Sequence, residues 1–254
     1  MLAVKRRLGQ PFPAAVSPTL VPMRPDPKTV VLAKKVDASS VGAPTLAMDL
    51  RPGTYKYQAK IEAGGQQISL AVSTTITAEG GAWTATDVME TPNGTVTEIS
   101  TLEKGTLIGR KVTLKQGPVA IDLNFCGNKA IGNMNVNGRD RPISVDLGGP
   151  LFADAAGAKQ SISCLPLADG YSTTFRNFDV QKQKVKLMQL KVSGLEKVTV
   201  PAGTFEAYKV EISSADGGAD KETLWVDRDS HKAVKESAVL ASMGGAILRQ
   251  ELVP

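Results

Sequence analysis

The chain has 254 residues, 42% hydrophobic and 22% charged, a composition that suits one large globular domain or two smaller ones. It contains no apolar run near the roughly 18–20 residues that a membrane-spanning helix requires, so no helix is expected to cross a bilayer. The formal charge of +5 is concentrated at the start: over residues 1–35, Lys5, Arg6, Arg7, Arg24, Lys28, Lys34 and Lys35 face a single Asp26, giving +6, and the other 219 residues sum to −1. A neutral body without RNP-like aromatics, zinc-finger spacing or a clustered basic strand speaks against nucleic-acid binding.

Residues 1–44 read as a leader or linker. Pro11, Pro13, Pro18, Pro22, Pro25 and Pro27 crowd a stretch that has no alternation, the composition of an extended, unstructured connection. Residues 1–8 are basic, but no apolar region of about 7–15 residues follows, so this start does not read as a complete secretory signal. Two origins fit: a cytoplasmic protein, or the C-terminal part of a longer exported chain. A Pro-rich lead into a β module suits the second.

From residue 45 to 254 the dominant signal is period two. Tyr55, Tyr57, Ala59 and Ile61 alternate with Lys56, Gln58, Lys60 and Glu62. The pattern resumes at Ile68, Leu70 and Val72, at Val119, Ile121, Leu123 and Phe125, and at Ile143, Val145 and Leu147. Turn signals fall between such runs at Gly64-Gly65, Gly80-Gly81, Asn93-Gly94, Lys104-Gly105, Gly117-Pro118, Asn137-Gly138, Asp169-Gly170 and Gly217-Gly218. Strands of about 5–10 residues separated by turns predict an all-β, antiparallel meander, large and curved, a half-barrel or barrel-like sheet of more than ten strands from about Gly53 to Leu252. No sustained 3.6-residue period occurs. Only Leu151–Ser161, short and Ala-rich, suits a helical turn or two, and 148–162 is where a sub-boundary would fall.

In 184–192 the apolar positions change parity between Leu187 and Met188. Two explanations fit: a β-bulge there, or a strand buried on both faces. Residues 198–211, Val-Thr-Val-Pro-Ala-Gly-Thr-Phe-Glu-Ala-Tyr-Lys-Val-Glu, read as strand, tight turn and strand, with Tyr208, Val210 and Ile212 on one face. Thr223-Leu-Trp-Val-Asp227 adds a further strand that ends at an acidic turn.

Catalytic motifs are missing. His231 is the sole histidine and lies in the polar turn Asp227-Arg-Asp-Ser-His-Lys232, where the sequence neighbours Ser230 and Asp229 cannot converge on it as a triad. Asp87, Glu90 and Glu98 are expected as strand-surface charge. Cys126 and Cys164, the only cysteines, suit either a disulfide in an oxidising compartment or two buried thiols, and with one distant histidine they do not make a zinc site. No cofactor is expected.

The cassette at 198–211, the later Leu224-Trp-Val-Asp followed by Lys232, Val234 and Lys235, and the upstream Leu165-Pro-Leu-Ala-Asp-Gly-Tyr171 resemble a domain-of-unknown-function family of bacterial envelope β-proteins related in shape to lipoprotein-sorting factors. The resemblance is clear over roughly 160–254 and general over 45–150. It implies a curved antiparallel sheet with an apolar concave face in an exported, periplasmic or extracellular protein, and brings no catalytic residues with it.

The functional expectation is a non-catalytic envelope module that holds an apolar small molecule or lipid, such as an acyl chain, in a concavity lined by Trp83, Met89, Phe175, Met188, Tyr208 and Trp225. Side chains of these kinds are more often plain core. The alternative is a C-terminal structural or docking domain of an exported enzyme such as a peptidase, with that enzyme as its upstream partner. A stand-alone hydrolase has the least support. Few aromatics are available to fill a wide interior, so the concavity is expected to hold either a cavity or a plug, and Leu151–Ser161 is the segment best placed to be the plug.

Overall fold

The structure is a computed structural model that describes residues 41–254. The unstructured leader expected over residues 1–44 therefore lies almost wholly outside the described residues. Turns, most of them glycine-containing, break the alternating sequence into fourteen strands: β1 Gly53–Ala63, β2 Gln66–Glu79, β3 Ala82–Thr91, β4 Gly94–Glu103, β5 Gly109–Gln116, β6 Val119–Cys126, β7 Lys129–Val136, β8 Arg139–Asp146, β9 Ser172–Asp179, β10 Lys184–Val200, β11 Gly203–Ser214, β12 Lys221–Asp227, β13 Ala233–Leu240 and β14 Ala246–Leu252. One short helix, α1 (Ala158–Ser163), interrupts them between β8 and β9.

All fourteen strands join one antiparallel sheet in the order β8-β7-β6-β5-β4-β3-β2-β1-β14-β13-β12-β11-β10-β9. Each strand pairs with its neighbour in sequence, as short hairpins require, and the meander is joined in the middle by β1 against β14, with Tyr57 opposite Leu252. The all-β meander predicted from Gly53 to Leu252 is thus observed. The two ends of the sheet are β8 and β9, and the chain between them must travel from one end to the other.

That connection shows how strongly the sheet curls. Ten strand spacings separate β5 from β9, about 48 Å on a flat sheet. Yet Gly109 at the start of β5 donates to the Leu151 carbonyl at 3.2 Å, and Phe152, the next residue, donates to the Arg176 carbonyl of β9 at 3.1 Å. Two consecutive residues bridge both strands, so the sheet rolls into a barrel-like wall that the connection closes at this point.

Every residue from Leu151 to Leu165 is buried. Phe152, Ala156, Ala158, Ile162 and Leu165 join a core with Ile76, Trp83 and Ala85 of β2 and β3 and with Leu190, Val210 and Leu224 of β10–β12. Leu151 and Ala155 join a second core with Tyr57, Leu70, Val112 and Leu123. The segment expected to plug the concavity does so, with its helix slightly later than predicted. Gly157 sets the closeness of that packing: its φ is +75°, and a Cβ there would lie 2.6 Å from the Ala85 Cβ.

The bulge expected at Leu187–Met188 is not present. β10 pairs with β9 in unbroken register from Lys184 opposite Asp179 to Lys191 opposite Ser172. Val185 and Leu187 are instead half-buried on the outer side while Met188 and Leu190 are fully buried inward, the two-faced alternative. A register shift does occur, between Val192 and Leu195 against β11, beside Gly194.

The exposed edge strand β8 carries its own protection. The two-residue Asn137-Gly138 turn, with φ of 53° and 77°, makes Val136 and Arg139 a mutually hydrogen-bonded pair. Alternation from there points the backbone of residue 142 away from β7, and residue 142 is proline, which removes a donor from the free edge at no cost to the sheet.

Two outcomes follow. Gly157→Ala should lower stability by about 2 kcal/mol, from overpacking and positive φ together, whereas Gly42→Ala, with open space around it, should stay within about 0.5 kcal/mol; chemical denaturation of both variants measures this. Pro142→Val should restore the edge donor and raise the self-associated fraction seen by light scattering on a sizing column, while an unchanged monomer mass would show that proline is not what guards the edge.

Candidate functional site

The inner face of the sheet, packed on the plug, is the part of the molecule where unusual residues gather. Along β2 the inward residues are Leu70, Val72, Thr74 and Ile76; along β3 they are Trp83, Ala85, Asp87 and Met89; along β4, Val96, Glu98, Ser100 and Leu102. In each strand the apolar side chains at one end belong to one core and those at the other end to the other core, and the residues at the changeover are polar. Thr74 lies opposite Asp87, and Asp87 opposite Glu98, so three polar side chains form a row across adjacent strands. Across the interior, Gln250 of β14 lies opposite Glu236 of β13, and Glu222 is on β12. All are buried, Glu98 and Gln250 fully.

The plug places a cation in this belt. Lys159 of α1 is 2% exposed; its Nζ donates to Gln250 Oε1 at 2.9 Å, lies 3.5 Å from Glu236 Oε2 and sits 4.2 Å above the ring of Tyr57. A buried ammonium needs both charge compensation and hydrogen bonds, and this arrangement gives it a carboxylate, an amide oxygen and an aromatic face. Gln160, the next residue, donates to the Tyr57 hydroxyl at 3.1 Å, which in turn donates to the Ala233 carbonyl at 3.1 Å. Burial, reinforced by the nearby Asp87 charge, pushes the Tyr57 hydroxyl far above the usual tyrosine range, so Tyr57 is a hydrogen-bonding strut and not an acid–base group.

At the far end of α1 is a small cleft of about 30 Å³ lined by Met48, Asp49, Leu50, Arg51, Tyr55, Gln160, Ser163, Cys164, Ser230, His231 and Ala233. That is room for a water or two. It brings together a thiol, a hydroxyl and an imidazole, but not as a nucleophilic site. Burial, with the Asp49 carboxylate adding to it, pushes the Cys164 thiol up to about 12. Ser230 Oγ donates to Asp227, and His231 Nδ1 lies 3.3 Å from the Ser163 carbonyl. His231 is half-buried against the plug rather than a freely solvated turn residue.

The six side chains expected to line a ligand site separate. Trp83, Phe175 and Met188 are buried in one core, with Tyr208 packed against it; Phe175 meets Phe152 of the plug edge-on at 5.6 Å. Trp83 also donates to Asp49 Oδ1 at 2.7 Å. Met89 belongs to the other core. Trp225 lies on the opposite face from its neighbours Leu224 and Val226, where it bonds Glu196 and stacks under Lys235. The disulfide is not formed. Cys126 is exposed on the outer face of β6 while Cys164 is buried inside, so the sheet stands between them.

Asp87 and Glu98 correct the expectation of surface charge, whereas Glu90 is exposed and bonds Thr95 as such a residue should. The signal was available in the parity: Asp87 shares its face with Trp83, Ala85 and Met89. Among the described residues no group of three His, Cys, Asp or Glu side chains is placed to hold a metal ion, and no helix is long and apolar enough to cross a membrane.

Comparison with known proteins returns a family model described as a protein of unknown function (DUF3108), matching residues 47–244. No curated protein matches. Among solved structures, the hypothetical lipoprotein YmcC from Escherichia coli is similar at 12% identity and a TM-score of 0.35, covering 79% of this chain and 83% of that one. A protein described as exported and YmcC-like in fold, from Bacteroides fragilis, has 9% identity and a TM-score of 0.29 over 82% and 97% of the two chains. A DUF1329 family protein from Desulfovibrio piger has 11% identity and a TM-score of 0.29 over 78% and 82%.

The thiols should behave as two different groups. At pH 8 a thiol with a pKa near 12 is ionised in roughly one molecule in ten thousand, so a disulfide-exchange reagent should titrate one thiol per native chain, Cys126, and the second only after unfolding. Two fast thiols would contradict the buried position of Cys164.

Proposed function

We propose that this chain, which belongs to the DUF3108 family, is a non-catalytic module of the bacterial envelope that holds an apolar ligand such as an acyl chain against the inner face of its sheet. The observation that carries this reading is the plug itself. Residues 151–165 are a connection between the two ends of a sheet, and they lay Leu151, Phe152, Ile162 and Leu165 on the apolar surface that an alkyl chain would use. The cleft at the end of the helix, about 30 Å³, is far below the roughly 300–1,000 Å³ of ordinary ligand sites, so in this reading it is not the ligand's seat, and an acyl chain on the surface that Leu151, Phe152, Ile162 and Leu165 cover would take the place of part of the plug. The protonated Cys164 thiol and the Ser230 hydroxyl committed to Asp227 support the non-catalytic part of the reading.

The same filled interior favours a second reading, a structural or docking domain of an exported enzyme such as a peptidase, which needs no cavity. Titration with a fluorescent fatty acid separates the two. Ligand carriage requires saturable binding at micromolar strength or tighter, weakened at least tenfold by Met188→Asp in protein that keeps its strand circular dichroism, and unchanged by Trp225→Ala on the other face. Absence of saturable binding to the unaltered chain would remove the carrier reading and leave the docking one.

A further inference from the structure

We propose that residues 46–51 are a hinged lid over one mouth of the curled sheet, latched by Asp49, and that the way from solvent to the plug's apolar surface lies beneath it. That an acyl ligand takes this way rests on the reading above, whereas the lid itself does not.

Residues 41–52 belong to no strand, yet they tie distant parts of the wall together. The Val41 carbonyl accepts a hydrogen bond from Arg176 Nη1 of β9 at 2.9 Å, and further along Asp49 reaches β3, where its Oδ1 accepts from Trp83 Nε1 at 2.7 Å. Between these points Ala47 and Met48 both donate to one acceptor, the Cys164 carbonyl at the end of the plug, at 2.8 and 3.3 Å. β9 is one end of the sheet, β3 lies well inside its other half, and the plug is enclosed by the curl. A segment that touches all three lies across the opening.

Beneath it is the cleft of about 30 Å³, lined on the strap side by residues 48–51 and on the plug side by Gln160, Ser163 and Cys164. Just past Cys164 the plug presents Leu165 and Leu167, buried in the same core as Leu50 of the strap. Lifting the strap would therefore uncover the end of the plug and the apolar side chains next to it.

Little besides the latch keeps the segment closed. Asp49 Oδ1 also accepts from the Leu50 amide at 2.9 Å, and its Oδ2 accepts from the Gly105 amide at 3.1 Å, so one carboxylate fastens the strap to β3 and to the turn between β4 and β5. Hydrogen bonds to an ionised acceptor are the strong ones. Of residues 46–51 only Leu50 is buried, whereas all of residues 151–165 in the plug are. Gly42 and Gly53 bracket the strap, and neither is packed: a Cβ at Gly42 would meet nothing within 4 Å, and one at Gly53 only the Tyr55 ring, at 4.0 Å. Unpacked residues at the ends of a segment are where a hinge absorbs its change of backbone angle.

Peptide-resolved hydrogen–deuterium exchange on the full chain tests this with Asp49→Ala and Trp83→Phe, the second of which removes a donor to the latch and leaves the carboxylate in place. In the native chain residues 46–51 should exchange faster than residues 57–61 of β1 and 152–165 of the plug. Both variants should speed that exchange at least about tenfold, while the other two regions stay protected. Cys164 should then titrate in both variants without unfolding, because opening removes the burial that holds its thiol protonated. If Trp83→Phe does not fold, Leu50→Ala, which also keeps the carboxylate, takes its place. The lid is overturned by native exchange of residues 46–51 as slow as that of β1, by equal acceleration of strap and plug, or by a Cys164 response to Asp49→Ala alone, which would be the carboxylate's own effect on the thiol. Ligand entry has a separate readout: the association rate of a fluorescent fatty acid should rise at least about threefold in the variants as the open population grows. Saturable binding at an unchanged rate would contradict entry beneath the lid; no binding to any of the chains would remove the ligand reading, while exchange and thiol titration still decide the lid.

Discussion

A single antiparallel sheet of fourteen strands cannot stay flat in water with one apolar face, and the structure depends on what that face is given to pack against. The answer is the connection between its two ends. Residues 151–165 lie wholly buried inside the curl, bridge β5 to β9 through consecutive backbone hydrogen bonds, and share apolar contacts with strands from both halves of the sheet. Curl and plug are one constraint: without the curl the plug would expose its backbone, and without the plug a chain with only 5% aromatic residues would have little with which to fill so wide an interior.

The polar belt follows from that arrangement. A helix brought inside a β wall has backbone and side-chain polar groups to satisfy: Ser163 Oγ donates to the Lys159 carbonyl, while the side chains of Lys159 and Gln160 bond Gln250 and Tyr57 of the wall. The wall answers with Glu236 and Gln250 on the strands facing α1. Such a belt between two apolar cores specifies where the plug sits along the barrel axis, since a shift of one helical turn, about 5.4 Å, would move the ammonium of Lys159 into hydrocarbon. Specification of this kind comes without much net stability, because desolvating the charges offsets most of their attraction.

Much of the fold was legible in the sequence because most strands bury one face and most end at a glycine-containing turn, so period two and punctuation carried the reading from Gly53 to Leu252. The plug was legible within the β region because Leu151–Ser161, short and Ala-rich, was the stretch there that suited a helical turn. What was not legible were interactions decided by the curl. Asp87 and Glu98 share parity with apolar neighbours, but a charge at an inward position reads as solvent-facing until the interior is known to contain a cation. The parity change at Leu187–Met188 suggested a bulge, whereas both faces of β10 there are covered, and the actual irregularity at Val192–Leu195 coincides with Gly194, which has no side chain to mark a face. Trp225 and Cys126 lie by alternation on the face opposite their buried neighbours, a placement that residue type alone does not reveal.

Whether the plug is an integral part of the core or a removable occupant is the question on which the functional reading turns. Hydrogen–deuterium exchange resolved by peptide addresses it directly. If the plug is what the sheet curls around, amides from Phe152 to Leu165 should exchange only with global unfolding, at the same protection as Tyr57–Ile61 in β1 and Leu248–Leu252 in β14. Exchange of the plug within seconds while those strands remain protected would contradict it, and would mean that the barrel-like wall stands without its centre.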